Sequence, residues 1–155
     1  MDYQLFFQVA PFVGASVGLF GIYLSRKDKA ISVKVEIETH CRVRGELVSE
    51  PYFTVVAKNY GEKPVRMCGA EFVLKDGKKV LLTSFLNGKG FPQVLEPGGN
   101  AQASLGYRDL AIGLYEHGYR GSVSLQGQYR DELGRKFLSK RMVWKFEEYL
   151  RKFAS

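Results

Sequence analysis

An uncharged segment near the N-terminus constrains the fold of this chain more than any other feature of the sequence. Residues 5–24 are 20 consecutive residues without Asp, Glu, Lys or Arg, and most of them are apolar. Because a helix rises about 1.5 Å per residue, the steps from Tyr3 to Tyr23 span roughly 30 Å, the thickness of a bilayer's hydrocarbon core. The two tyrosines then lie where interfacial aromatic residues are common. The segment therefore predicts one transmembrane helix over residues 3–24.

Two other interpretations of this segment stay open. A cleaved signal peptide begins with positive charges and ends at a small-residue cleavage site, whereas here the acidic Asp2 precedes the segment and the positive charges follow it. A buried helix of a globular domain is usually shorter and has a polar face, which residues 5–24 lack. Both interpretations fit the sequence less well than a membrane anchor.

Basic residues after the segment set its expected orientation. Arg26, Lys27 and Lys29 lie in a linker over residues 25–30, and no Lys or Arg precedes the segment. The positive-inside rule then places the N-terminus outside and the rest of the chain in the cytoplasm, as in a single-pass protein of the inner membrane. The whole chain has 23 Lys and Arg against 16 Asp and Glu. Basic residues beside an anionic leaflet contribute on the order of 1 kcal/mol each, so membrane lipid is an expected partner.

Small residues recur every fourth position inside the predicted helix. Ala10, Gly14 and Gly18 would lie along one helix face, where small side chains let two membrane helices approach closely. We therefore predict that these three residues pack the helix against another protein or a second copy of this chain.

From residue 31 onward the hydrophobic pattern has a period of two, which is typical of strands with one buried face. Asp76 and Gly77 predict a type I′ hairpin turn, and residues 86–99 are expected to form an irregular loop. Asp109 is expected to cap a short helical turn that stops at Gly118. Seven strands are predicted, over residues 31–38, 52–59, 65–75, 79–85, 101–107, 122–130 and 135–143. Short strands separated by regular turns predict an antiparallel β-sandwich over residues 31–143.

The C-terminal residues 144–155 change to a helical period. Phe146, Tyr149, Leu150 and Phe153 share one face of the predicted amphipathic helix. This face could pack on the sandwich, dock a partner protein or lie in the membrane interface. The four residues are therefore candidates for partner docking.

Two stretches of the sequence resemble a known fold family. Residues 55–65 and the 72–77 hairpin are similar to the passage from strand B to strand C in bacterial immunoglobulin-like sandwich modules. The turn at Glu96, Pro97 and Gly98 is similar to the Pro-Gly turn before the fifth strand of those modules. The expected fold class is all-β: a seven-stranded antiparallel immunoglobulin-like sandwich with an N-terminal transmembrane helix and a C-terminal amphipathic helix. The resemblance implies adhesion, scaffolding or partner recognition, since this fold has many functions.

Residues that carry catalysis or bind metals are sparse. His40 and Cys41 are adjacent, so in a strand their side chains point to opposite faces and do not converge on one ion. A disulfide between Cys41 and Cys68 stays open for an exported domain, whereas a cytoplasmic domain would keep both thiols reduced. The sequence has no nucleophile-elbow, phosphate-loop or nucleic-acid recognition motif. We predict no catalytic residue, cofactor or metal site, and we do not expect nucleic-acid binding.

Together these patterns lead to one functional hypothesis and two alternatives. We expect a membrane-anchored β-sandwich that acts as a protein-binding accessory or scaffold subunit at the inner face of the membrane, and not an enzyme. The first alternative is an exported, envelope-facing sandwich in adhesion or envelope assembly. The second alternative is an enzyme.

Overall fold

A computed structural model describes residues 31–41, 43–44, 47–85 and 90–153 of the chain. The predicted transmembrane helix over 3–24 and the linker over 25–30 lie outside these residues. Ala10, Gly14, Gly18, Arg26, Lys27 and Lys29 lie there too, so their predicted roles stay predictions. None of the helices in the described part of the chain is long and apolar enough to cross a membrane.

The described residues form eleven strands and two helices. The strands are β1 (Val33–His40), β2 (Val43–Arg44), β3 (Leu47–Val48), β4 (Tyr52–Asn59), β5 (Val65–Leu74), β6 (Lys79–Leu81), β7 (Ser84–Phe85), β8 (Gln93–Leu95), β9 (Asn100–Gly106), β10 (Val123–Asp131) and β11 (Lys136–Trp144). Helix α1 (Tyr107–Glu116) follows β9, and helix α2 (Phe146–Phe153) follows β11.

Two antiparallel sheets make up most of the domain. The first sheet has the order β1-β4-β9-β7, and the second has the order β11-β10-β5-β6, with β8 also paired to β5. β2 and β3 form a separate two-stranded ribbon. Every strand pair is antiparallel. The predicted antiparallel sheet fold is therefore confirmed.

The two sheets pack face to face around one apolar core. Phe53 on β4 and Phe72 on β5 meet edge to face, with ring centroids 5.8 Å apart. The alternation on β1 places Val35 in this core and leaves Lys34 exposed. The core also contains Val55, Ala57, Val65, Met67, Leu74, Leu125 and Tyr129.

The predicted fold class is nevertheless wrong. The predicted strand over 79–85 is divided into β6, which pairs with β5, and β7, which pairs with β9 in the other sheet. The predicted loop over 86–99 contains β8, and the predicted helical turn is a ten-residue helix, α1. A membrane-spanning helix, which was part of the predicted class, finds no support in the described residues. Alternation predicts which side chains are inside, but it does not tell which sheet a strand joins.

The two turns that carry the family resemblance lie side by side. Asn59 at the end of β4 donates its side-chain amide to the carbonyls of Lys63 at 2.8 Å and Leu95 at 3.0 Å. Its backbone N–H donates to the Gly99 carbonyl at 3.0 Å, and Gly98 N–H donates to the Asn59 carbonyl at 2.8 Å. One buried asparagine therefore joins the turn after β4 to the turn before β9.

The hairpin between β5 and β6 differs from the predicted type I′ turn. That turn needs positive φ at both central residues, but among the described residues only glycines have positive φ. Gly77 has a φ of +85° and its N–H donates to the Leu74 carbonyl at 3.1 Å. The loop is therefore a type I turn followed by a left-handed glycine.

Candidate functional site

A groove with a volume of about 410 Å³ lies between helix α1 and the β5–β6 hairpin. We call it the α1–β6 groove. Its apolar lining consists of Leu74, Val80, Leu81, Leu105, Leu110 and Leu114. Its polar rim consists of Lys78, Lys79, Asp109, His117 and Tyr119. Apolar clefts of this size with a few polar groups are typical of binding sites.

Helix α1 presents one stripe of residues to the groove. Asp109, Gly113 and His117 follow each other at intervals of four residues, beside the buried side chains of Leu110 and Leu114. The predicted cap is wrong, because the helix begins after Gly106 and Asp109 lies in its first turn. The predicted stop is confirmed: the helix ends before Gly118, whose φ is +84°.

Gly113 keeps the groove open in the middle of this stripe. A Cβ added there would meet no atom outside its chain neighbours and the backbone of its own helix within 4 Å. A glycine inside a helix destabilises it by roughly 0.5–1 kcal/mol relative to alanine. The backbone does not require glycine at this position, so its effect is to leave the space above the helix empty.

His117 at the end of the helix is oriented by the same glycine. Its Nδ1 lies 2.8 Å from the Gly113 carbonyl, so Nδ1–H is the donor. The exposed ring then has Nε2 available toward solvent at the rim of the groove.

A hydrogen-bonded pair links the hairpin to the chain that follows helix α1. The Tyr119 hydroxyl donates to Asp76 Oδ2 at 2.5 Å. This bond holds the pKa of Asp76 below its usual range and raises the pKa of Tyr119 to about 12. The ammonium of Lys78 lies 5.2 Å from the centroid of the Tyr119 ring. The pair therefore fixes the hairpin relative to the chain after α1.

The two lysines at the rim have different surroundings. Lys79 Nζ lies 2.6 Å from Oε1 of Glu71, a buried carboxylate that also accepts a hydrogen bond from the Gln128 amide. Lys78 Nζ lies 3.9 Å from Asp76, and its side chain is 61% exposed. Lys78 is therefore the cation at the rim that is more accessible to a ligand.

Three of the four C-terminal candidates for partner docking lie against the sandwich. Phe146 is fully buried, Tyr149 is buried, and Leu150 is half-buried against the core. The Tyr149 ring contacts Tyr107 at a centroid distance of 5.5 Å. Helix α2 thus uses this face within the chain, and docking of a partner by Phe146, Tyr149, Leu150 and Phe153 stays a prediction.

The histidine and cysteines of the sequence analysis lie apart from the groove. His40 pairs with Glu38 at 3.0 Å, and Cys41 and Cys68 are exposed free thiols. In the described part of the chain, no three His, Cys, Asp or Glu side chains are grouped as metal ligands would be.

Sequence reasoning missed the α1–β6 groove. Asp109, Gly113 and His117 are spaced four residues apart, so the sequence does indicate that they share one face of a helix. No local sequence pattern indicated that this stripe would face Lys78 and Val80, which lie about 30 residues earlier in the chain.

Comparisons with known proteins give only distant structural likenesses. No protein-family model and no curated protein matches the chain. A Bordetella pertussis protein assigned as ApaA has 13% identity and a TM-score of 0.41, over 76% of this chain and 95% of that one. A structural genomics target solved by X-ray crystallography has 17% identity and a TM-score of 0.35, over 76% and 88%. A protein from Archaeoglobus fulgidus has 14% identity and a TM-score of 0.33, over 74% and 97%. Support for an antiparallel fold therefore comes from the strand pairing within this chain.

Proposed function

We propose that this chain is a protein-binding accessory or scaffold module built on an immunoglobulin-like β-sandwich, and that the α1–β6 groove is its recognition surface. The observation that carries the proposal is the empty space above Gly113. A Cβ added at this helix-interior glycine would meet no atom outside the backbone of its own helix, so glycine leaves the apolar cleft unfilled, at a loss of helix stability.

The lining of the groove supports a protein partner. Leu81 is 68% exposed beside the groove, and large exposed apolar side chains next to an apolar cleft are typical of interaction surfaces. Lys78, Asp109 and His117 surround the cleft with polar groups of both signs. This arrangement of an apolar centre and a polar rim is the usual anatomy of a protein interface.

The immunoglobulin-like part of the proposal is supported by the packing of the two antiparallel sheets. The joined turns at Asn59 and Gly99 also favour it, since these are the turns on which the resemblance depends. Sandwiches of this kind have many functions, so the function is argued from the groove and not from the fold.

Two substitutions of one residue test the proposal. The full chain is used as bait in a mild-detergent extract of its source cells, beside Gly113→Ala and Gly113→Leu variants. A captured protein is then purified, and its binding to each variant is measured by calorimetry. Leucine would fill the cleft, whereas alanine would leave most of it open. Displacing one buried apolar side chain is expected to weaken binding by about tenfold or more.

The expected result is that the wild type and Gly113→Ala bind alike and Gly113→Leu binds at least about tenfold more weakly. Thermal melts of the three proteins show whether each is folded. The proposal is wrong if folded Gly113→Leu binds every captured protein as the wild type does, or if no captured protein binds the purified chain.

A further inference from the structure

We infer that the partner binds as an extended segment that adds a strand to the free edge of β6 and inserts an apolar side chain into the α1–β6 groove. This inference rests on the proposed function and specifies the form of the partner. It follows from the direction of the main-chain groups of β6, the position of the groove beside them and the charge of the rim.

The outer edge of β6 has main-chain groups that no described strand uses. Leu74 N–H donates to the Lys78 carbonyl at 2.9 Å, and Leu82 N–H donates to the Ala70 carbonyl at 3.1 Å. Hydrogen-bonded pairs alternate along an antiparallel ladder, so Val80 is the next residue of β6 bonded to β5. The N–H and C=O groups of Lys79 and Leu81 therefore point away from β5. In the described part of the chain, β6 lies at one edge of its sheet, and β11 lies at the other.

The groove lies on the inner side of this edge. Side chains alternate along a strand, so Val80 packs toward the core on the inner face, whereas Lys79 and Leu81, which border the groove, direct their side chains to the outer face. A strand added to β6 would likewise direct every second side chain inward. The inward side chain opposite Val80 would enter the cleft between β6 and the Gly113 stripe of helix α1.

These features favour an extended peptide over a compact ligand. Two residues with outward N–H and C=O groups provide four main-chain hydrogen-bonding groups, which give affinity in strand addition, while the pocket beside them gives specificity. We therefore expect a segment with apolar residues at alternate positions. An acidic residue is expected where the segment passes Lys78, the accessible cation of the rim.

A short peptide selected against the full chain tests this mode of binding. Random 12-residue peptides displayed on phage are selected on the wild-type protein, and the most enriched peptide is synthesised with a fluorescent label. Its affinity is measured by anisotropy for the wild type, Leu81→Pro, Leu81→Ala and Gly113→Leu. Proline removes the outward N–H of residue 81 without removing a bond of the β5–β6 ladder, and alanine keeps that N–H.

We expect Leu81→Pro to bind about tenfold more weakly than Leu81→Ala, because both variants lose the leucine side chain and only proline also loses the outward N–H. A second measurement does not depend on folding of the proline variant. The peptide is N-methylated at one position at a time and tested on the wild type. Loss of binding at every second position is expected, since alternate N–H groups of an added strand face β6.

Several outcomes would overturn the inference. The first is that folded Leu81→Pro binds the peptide as tightly as Leu81→Ala does. The second is that the effects of N-methylation do not alternate along the peptide. The third is that the selection enriches no peptide. A wild-type dimer that Leu81→Pro converts to a monomer would assign the edge to a second copy instead. If Gly113→Leu abolishes binding while Leu81→Pro and N-methylation leave it unchanged, the groove is the binding surface but strand addition is wrong.

Discussion

The hydroxyl of Tyr129 on β10 donates a hydrogen bond of 3.0 Å to the backbone carbonyl of Val55 on β4. One side chain thus crosses the core and joins the two sheets. Tyr129 is fully buried, and this burial raises the pKa of Tyr129, so the hydroxyl stays protonated and remains a donor. The core of this sandwich therefore contains a polar bond as well as apolar contacts.

Replacing Tyr129 with phenylalanine removes this bond and keeps the ring. We expect the free energy of unfolding to fall by about 1–3 kcal/mol, because a buried hydrogen bond is lost. Urea denaturation at neutral pH measures the change. Tyr60→Phe is the matched control, since Tyr60 is 64% exposed in a turn. Equal stability of the two variants would contradict the structural role of the bond.

Two glycines should respond to alanine in opposite directions. A Cβ at Gly127 would stand 2.6 Å from Cγ1 of the buried Val55 and 3.2 Å from Cγ1 of Ile37. We therefore expect Gly127→Ala to destabilise the protein by about 1–3 kcal/mol through overpacking. Gly113→Ala should stabilise it by about 0.5–1 kcal/mol, because its helix position is open. Chemical denaturation of both variants measures the change in the free energy of unfolding. A change of the same sign in both variants would contradict this prediction.

The pair of Asp76 and Tyr119 should make stability depend on pH at both extremes. The pKa of Asp76 is lowered in the folded state, so its contribution is present above the unfolded value of about 4 and is lost as the pH falls through the folded value. The pKa of Tyr119 is raised to about 12, so its contribution is present below the unfolded value of about 10 and is lost as the pH rises toward 12.

Titration of Tyr119 by carbon NMR of labelled tyrosine tests this pair. The resonance absent from Tyr119→Phe identifies the residue, and we expect its midpoint near 12 in the wild type. In Asp76→Asn the midpoint should move toward about 10, because the acceptor has lost its charge. An unchanged midpoint in Asp76→Asn would show that Asp76 does not cause the shift. Acid denaturation of the same variant should differ less from the wild type below about pH 4 than at neutral pH.

Phe146 should contribute to the stability of the whole domain. It is fully buried at the start of α2, with its ring centroid 6.0 Å from that of Trp144. We expect Phe146→Ala to lower the free energy of unfolding by about 3–5 kcal/mol. Glu148→Ala, on the exposed face of the same helix, should change it by less than about 0.5 kcal/mol. If Phe146→Ala were as stable as Glu148→Ala, α2 would not be part of the core in solution.

The predicted cytoplasmic location has a direct test in the two cysteines. Cys41 and Cys68 are both exposed and free, so burial does not protect them from a reagent. A membrane-impermeant maleimide should therefore label neither residue in intact cells and both after lysis. The double variant Cys41→Ser with Cys68→Ser is the control for background. Strong labelling in intact cells would favour the exported alternative.

Much of the fold follows from local signals in the sequence. β4 was predicted at its observed bounds, and β9, β10 and β11 begin and end within one residue of the predicted strands. Alternation and turn residues act over a few positions, so they are readable without the tertiary structure. The hairpin at Gly77 was also predicted in place, although its turn type was not.

The candidate site could not be predicted in this way. The Tyr119 hydroxyl and Asp76 are 43 residues apart in the chain, and no local pattern requires them to meet. The division of residues 79–85 between the two sheets depends on which partner strand each half meets, and it leaves β6 as an edge. The open space above Gly113 depends on how helix α1 packs against that edge.

By itself, the sequence determined most of the longer strands, the two helical segments and which of their faces are apolar, because these properties depend on neighbours along the chain. Only the tertiary structure decided how the strands divide between two sheets and where the α1–β6 groove opens. The physical reason is that a cleft forms between elements distant in sequence, and its shape depends on packing that local periodicity does not specify.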